Sequence, residues 1–217
     1  MPSVRFGATR RSSKSALRSG GLDRALTGAA VAYFAAVIAI TILVRSGDLS
    51  ASEIDSSADG LVDGRVLRLL SSGIAVAGPL AVWQILLCAF VAAVVIRREG
   101  AAVWWVAALA GHVGSAVISY AIIGLAWGLD SGSAEDAAND PDYGISAVLG
   151  ASLGALFASG LRAGDRMITG FGIAGFVGLL PFSVGWLDLE HPLAFGLGAA
   201  VVLRVGSTDP SALRRQR

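Results

Sequence analysis

Histidine is scarce in this chain, which carries His112, His191 and no other, so each imidazole can be weighed individually. Ser146 stands in Asp142-Tyr143-Gly144-Ile145-Ser146-Ala147, at the head of one apolar run, and His191 stands in Glu190-His191-Pro192-Leu193-Ala194, at the head of another. A hydroxyl beside an imidazole is the smallest set able to attack a carbonyl: the ring takes the proton and the oxygen forms the bond. At helical spacing Ser146, Gly150, Leu153 and Gly154 share one face, and His191, Ala194 and Gly198 share another. Both faces are small, and Gly150-x-x-x-Gly154 is a pattern that lets membrane helices approach closely, so contact between them brings the hydroxyl near the imidazole. Each part also has a plainer use. A first-turn serine commonly caps a helix, GxxxG occurs in any packed bundle, His191 suits a hydrated interface, and His112 suits a hydrogen-bonded packing position.

The elements that carry these residues are set by composition. Of 217 residues 54% are hydrophobic and 15% charged, and the mean hydropathy is +0.68, which excludes an ordinary soluble globule and makes lipid the expected solvent. The net charge of +1 gives no support for nucleic-acid binding. A single cysteine, Cys88, inside an apolar run excludes a disulfide framework or thiolate cluster; with two histidines besides, no metal or cofactor is expected.

The twenty residues from Ala25 to Val44 carry no charge, enough to cross a hydrocarbon core of roughly 30 Å. Further apolar stretches run from about Ser72 to Ile96, Ala102 to Ile123, Tyr143 to Leu161, Met167 to Leu187 and Leu189 to Leu203. Six membrane-crossing helices in one bundle are expected, because backbone left unpaired in lipid is too costly. Basic residues sort with alternate loops. Arg5 to Arg24, Arg97 with Arg98, Arg162 with Arg166, and Arg204 to Arg217 mark inside segments, while Asp130, Glu135, Asp136, Asp140, Asp142, Asp188 and Glu190 mark outside ones. Both termini are thus expected in the cytoplasm.

The organisation expected is a basic, disordered arm over 1–24, a membrane domain over 25–205 and a basic cytoplasmic tail over 206–217. An Arg- and Ser-rich leader also suits a transit peptide or a signal-peptide start, but no small-residue cleavage site closes the apolar run, which favours a retained span. Ser46–Gly60 and Ser131–Asn139 read as flexible outer loops. Leu61–Leu70 suits either a short amphipathic helix in the outer leaflet or a solvated loop. His112 falls ~16 Å along its span by helical rise, near the midplane, with Ser115 and Ser119 on the same stretch.

These residues resemble the rhomboid family of intramembrane serine proteases and their inactive relatives. The resemblance rests on the six-helix pattern with a cytoplasmic N terminus and on two short motifs: G-x-S-G, here Gly144-Ile145-Ser146-Ala147, and H-x-x-G-x-x-x-G, here His191 with Ala194 and Gly198. Val66-Leu67-Arg68 is similar to the family's W-R segment, with Leu67 in place of tryptophan. The coverage is about Ala25 to Val205. The resemblance implies an all-α, six-transmembrane-helix bundle in which Ser146 is the nucleophile and His191 the general base, cutting membrane-spanning helices near the outer face. It implies transmembrane segments of other membrane proteins as partners, within a lipid bilayer; the short loops and Ala/Gly-rich spans fit a bacterial cell membrane, and the Arg/Ser leader also suits an organelle. Ala147 and Ala194 replace glycines of the pattern. The His and Asn that rhomboids place on helix two fall at Ala81 and Ile85, which leaves Gln84, His112 and backbone N–H groups near Gly144 and Ala147 as the candidate oxyanion donors. Asp142 is expected to cap span four or to orient His191, the cap being favoured.

Two rival readings follow. A rhomboid-like pseudoprotease binds membrane helices without cutting them, and the missing helix-two donors favour it. A small transporter or channel component needs several polar residues on one midplane cavity, for which His112, Ser115 and Ser119 are the candidates.

Overall fold

The computed structural model describes residues 10–74, 76, 78, 80–129, 132–180 and 185–207. Among these the chain is all-helical, its one strand-like feature being an isolated antiparallel bridge between Ser56 and Asp142. The principal helices are α1 (Arg10–Ser46), α2 (Ala81–Glu99), α3 (Ala101–Gly128), α4 (Ile145–Ala163), α5 (Arg166–Leu179) and α6 (Glu190–Ser207). Four segments are long and apolar enough to cross a membrane: Gly20–Ser46 within α1, and the whole of α2, α3 and α4. Residues 1–9 of the basic arm and 208–217 of the tail lie outside the described residues, and α1 takes in the remainder of the arm from Arg10.

Local chemistry places the helix ends. The stretch read as the start of span two is not part of that helix: Ser72–Ile74 forms a separate 3₁₀ turn and α2 begins at Ala81. Gly78 adopts φ +87°, a left-handed conformation that ends helical continuity, and the Pro79 that follows in sequence disfavours α backbone before it. At the far end of α2, Gly100 turns the chain at φ +92°, and the Asp23 carboxylate of α1 accepts the Ala101 N–H at 2.8 Å to cap α3. α4 ends at Gly164, φ +68°, and Asp165 caps α5 through the Ile168 N–H at 3.2 Å. α5 has 14 residues, ~21 Å of helix, and stops well short of the Leu187 expected from hydropathy. Residues 181–184 lie outside the described set, and the chain resumes at Gly185 with a 3₁₀ turn, Leu187–Leu189, leading into α6.

The two tight turns carrying Arg97 to Gly100 and Arg162 to Arg166 lie together. Arg98 reaches Asp165 at 3.3 Å and the Ser159 hydroxyl at 3.0 Å, Ser159 donates to Glu99, and Arg162 pairs with Glu99. One end of the bundle is thereby tied across α2, α4 and α5.

The acidic stretch read as a flexible loop is ordered. Gly132–Asn139 is a helix that buries Ala134, Ala137 and Ala138, an i, i+3, i+4 stripe of small residues, and Ala137 and Ala138 lie against Ala116, Tyr120 and Ile123 of α3. Leu61–Leu70 is neither one amphipathic helix nor an open loop. It spans two short helical pieces, Ala58–Val62 and Arg68–Ser71, parted by Gly64 at φ +81°.

α4 sits at the centre, packed by α6, α5, α2 and α3. Its approach to α6 is close enough to forbid side chains: a Cβ at Gly154 would lie 1.9 Å from the Phe195 carbonyl oxygen, and one at Gly198 would lie 2.0 Å from that of Ala151. Nearer the helix heads, a Cβ at Gly150 would lie 3.3 Å from the His191 carbonyl oxygen. Ala147, Ala151 and Ala194 complete the seam as a buried cluster.

Candidate functional site

The seam brings the heads of α4 and α6 side by side. Ser146 is the second residue of α4 and His191 the second of α6, and both line a cavity of about 210 Å³ together with Gln84, Asp142, Tyr143, Asp188 and Glu190. Both also line a second, more apolar cavity of about 450 Å³. Its walls are Leu80, Trp83, Gln84 and Leu87 at the head of α2 and Ala174, Gly175, Gly178 and Leu179 of α5. The Ser146 hydroxyl donates to the Tyr143 carbonyl at 3.4 Å, and His191 Nδ1 stands 3.5 Å from Asp188 Oδ1.

Backbone N–H groups of the first helical turn stand at the α4 N-terminus, beside Ser146. Gly144 occupies the cap position without a side-chain bond, and the first N–H of the helix to find a backbone acceptor is that of Val148, which donates to Gly144 O at 3.1 Å. The amides of Ile145, Ser146 and Ala147 precede any intrahelical acceptor and sit at the positive pole of the helix. Ala81 and Ile85 of α2 are buried and apolar, whereas Gln84 between them lines both cavities with Ser146 and His191.

His112 lies elsewhere. It sits in a π-helical turn of α3, Ala110–Gly114, and lines neither cavity. Its ring is wedged between two glycines: a Cβ at Gly144 would lie 1.8 Å from its Cε1, and one at Gly73 would lie 2.8 Å from its Cδ2. Nε2 stands 3.5 Å from the Ser72 hydroxyl, while the Gly144 N–H donates to the Ser72 carbonyl at 3.0 Å. His112 therefore braces the turn ahead of Ser146 from behind.

Asp142 does not cap α4. Its backbone pairs with Ser56 in both directions, at 2.8 and 3.2 Å, and its carboxyl accepts the Tyr120 hydroxyl at 2.7 Å and is hydrogen-bonded to the carboxyl of Glu190. Such a bond requires a proton on one member, so the pair carries at most one charge. Ser115 donates to Glu190 at 3.2 Å; the Ser56 hydroxyl lies 2.9 Å from that of Tyr120 and donates to Ser72 at 3.0 Å. Sequence reasoning missed Tyr120, Ser56 and Ser72, whose partners are too distant along the chain to leave a local pattern. Glu190 did leave one, as an acid at the head of an apolar run. Among the described residues no group of three or more His, Cys, Asp or Glu is arranged to hold a metal ion.

Burial is the main cause that lifts Asp142 above the ordinary carboxyl range, against the lowering effects of Tyr120, His112, Glu190 and His191. An acid that holds its proton more tightly folded than unfolded loses stability as pH rises above its unfolded value of about 3.9, because the unfolded chain then binds fewer protons. The melting temperature of the detergent-solubilised protein is expected to fall as pH rises from about 4 towards 7, with up to about 1.4 kcal/mol lost per pH unit for one proton. Asp142→Asn is expected to flatten that slope; a slope unchanged by the substitution would show that Asp142 does not hold the proton.

Comparison of the chain with protein-family models, with curated proteins and with solved structures gives no match.

Proposed function

We propose that the chain is a rhomboid-like intramembrane serine peptidase, with six membrane-crossing helices and both termini on the cytoplasmic side of a cell membrane, cutting membrane-spanning helices near the outer face. The observation that carries this reading is the meeting of Ser146 and His191 on one cavity, and their place, with Gln84, on the wall of the apolar space between α2 and α5 as well. A helix entering there meets Leu80, Trp83 and Leu87 on one side and the small Gly175 and Gly178 on the other, with the hydroxyl and imidazole at the end. The clustering of Arg98, Arg162 and their acids at the opposite end of the bundle supports the orientation.

In the reaction the Ser146 hydroxyl turns from the Tyr143 carbonyl towards the cavity. His191 accepts its proton as the oxygen attacks the peptide carbonyl. The N–H groups of the first turn of α4 face the developing oxyanion, where the helix dipole adds to them. The imidazolium then protonates the leaving amine, and water, deprotonated by the same ring, releases the acyl group.

A second reading, a rhomboid-like protein that binds helices without cutting them, is favoured by the apolar Ala81 and Ile85 and by the Ser146 bond to Tyr143. Incubation of the folded, detergent-solubilised protein with a fluorophosphonate, followed by mass spectrometry, separates the two. The peptidase reading expects one adduct, on the peptide containing Ser146. Unmodified Ser146, beside an active rhomboid that is modified under the same conditions, would select the binding reading.

A further inference from the structure

We propose that Asp188 is a positioning residue of the site, holding the His191 ring through Nδ1 so that Nε2 is the nitrogen that takes the Ser146 proton; this rests on the peptidase reading above. From the sequence, Asp142 was the candidate for orienting His191, with capping of span four the preferred role.

Three carboxyls line the smaller cavity, those of Asp142, Asp188 and Glu190. Two are engaged with one another and with neighbouring hydroxyls, Asp142 with Tyr120 and Glu190 with Ser115. Asp188 is the one paired with a ring nitrogen, Oδ1 to Nδ1 at 3.5 Å, while Asp142 acts on the imidazole through its charge. That distance exceeds the ~2.9 Å of a formed N–H···O bond, and catalytic contacts are commonly long before substrate is bound.

The local fold explains the placement. Asp188 lies in the 3₁₀ turn Leu187–Leu189 that runs directly into α6, three residues before His191, so the two side chains share a face. The turn is secured by Asp188 N–H to Gly185 O at 3.3 Å and Leu189 N–H to Trp186 O at 3.2 Å. Trp186 anchors it further, its indole N–H donating to the Ser133 hydroxyl at 3.2 Å. The pair is partly shielded from solvent, so the carboxylate also favours the imidazolium formed when His191 accepts the proton.

Neutral imidazole protonates one nitrogen, and the partner of one ring nitrogen decides which. The Asp188 carboxylate accepts a hydrogen bond from Nδ1–H, which makes Nε2 the unprotonated, basic nitrogen of the ring. Asp188→Asn presents an amide N–H that can donate to Nδ1, which puts the proton on Nε2 and removes the base. The rate of fluorophosphonate modification of Ser146 is expected to fall by about 10- to 1,000-fold in this variant, less than the ~10⁴ of a fully buried triad. Asp188→Glu is expected to recover much of it.

A structural role alone would not move the tautomer, so ¹⁵N NMR of labelled imidazoles completes the test. There are two histidines to assign, and His112→Gln identifies the His191 signals. Protonated Nδ1 in the wild type, protonated Nε2 in Asp188→Asn, slowed modification and an unchanged melting temperature are the expected results. Equal modification rates in wild type and Asp188→Asn, or the same tautomer in both, would overturn the role of Asp188 and leave the peptidase reading standing. A wild type that is not modified at all would overturn the peptidase reading itself, and with it the role of Asp188.

Discussion

His191→Ala is expected to slow modification of Ser146 by a fluorophosphonate by about 10²- to 10⁴-fold, the range supplied by a positioned general base. The serine hydroxyl is a poor nucleophile until its proton is removed, and among the side chains lining the cavity with Ser146 the imidazole is the one suited to that work near neutral pH. The comparison needs a serine in the same helix that is buried for other reasons. Ser152 accepts the Trp104 indole N–H at 3.1 Å and donates to the Val148 carbonyl at 2.7 Å, so Ser152→Ala is expected to leave the rate of Ser146 modification within about twofold of wild type while costing about 1 kcal/mol of stability. Equal rates in wild type and His191→Ala would show that Ser146 reacts without the histidine, and the pair would then not be a nucleophile and its base.

Gly154→Val is expected to produce the largest loss of stability of any single substitution in the α4–α6 seam. Its Cβ would fall 1.9 Å from a backbone carbonyl oxygen of α6, an obstacle that no side-chain rotation relieves, so the helices must part. A loss of about 2–4 kcal/mol is expected, read as a lowered melting temperature in detergent. Separation of the helix heads should then diminish modification of Ser146 as well. Two other glycines grade the result. Gly150→Ala brings its Cβ to 3.3 Å from the His191 carbonyl and requires a shift of a few tenths of an ångström, while Gly178→Ala meets nothing within 4 Å and is expected to be neutral or to stabilise by up to about 1 kcal/mol. A Gly154→Val protein that melts with wild type would mean that α4 and α6 are not held in this contact.

The seam and the heads of its two helices were legible in sequence because their signals are local. Gly150 with Gly154, and Ala194 with Gly198, repeat at the helical period, and Ser146 and His191 each open an apolar run. Hydropathy was a poorer guide to where helices stop. It carried span two back to Ser72 and span five on to Leu187, because an apolar stretch does not register the backbone break at Gly78 or the end of α5 at Leu179. Glycine, serine and acidic residues made Gly132–Asn139 read as a loop, yet packing of its own alanine stripe against α3 holds it as a helix. The network around Asp142 was out of reach for a different reason. Tyr120 reaches Asp142 across 22 residues of chain and Ser56 reaches Tyr120 across 64, and tertiary hydrogen bonds of that kind have no period to detect. His112 read as a packing histidine near the midplane, but the two glycines it packs against, Gly73 and Gly144, lie in other segments and leave no local pattern.

The central position of α4 bears on how the protein responds to the bilayer around it. Of its most apolar window 78% is covered by protein, against 17% for α1, so the helix that carries Ser146 is solvated chiefly by its neighbours. Thinning or thickening of the membrane loads the helices that touch acyl chains, which tilt or shift to match it. A protein-jacketed helix is insulated from that load, and the height of its first turn is set by the carbonyl-to-glycine seam with α6. Lipid composition should therefore act on the mobility of the less covered helices, with the spacing of Ser146 and His191 held constant.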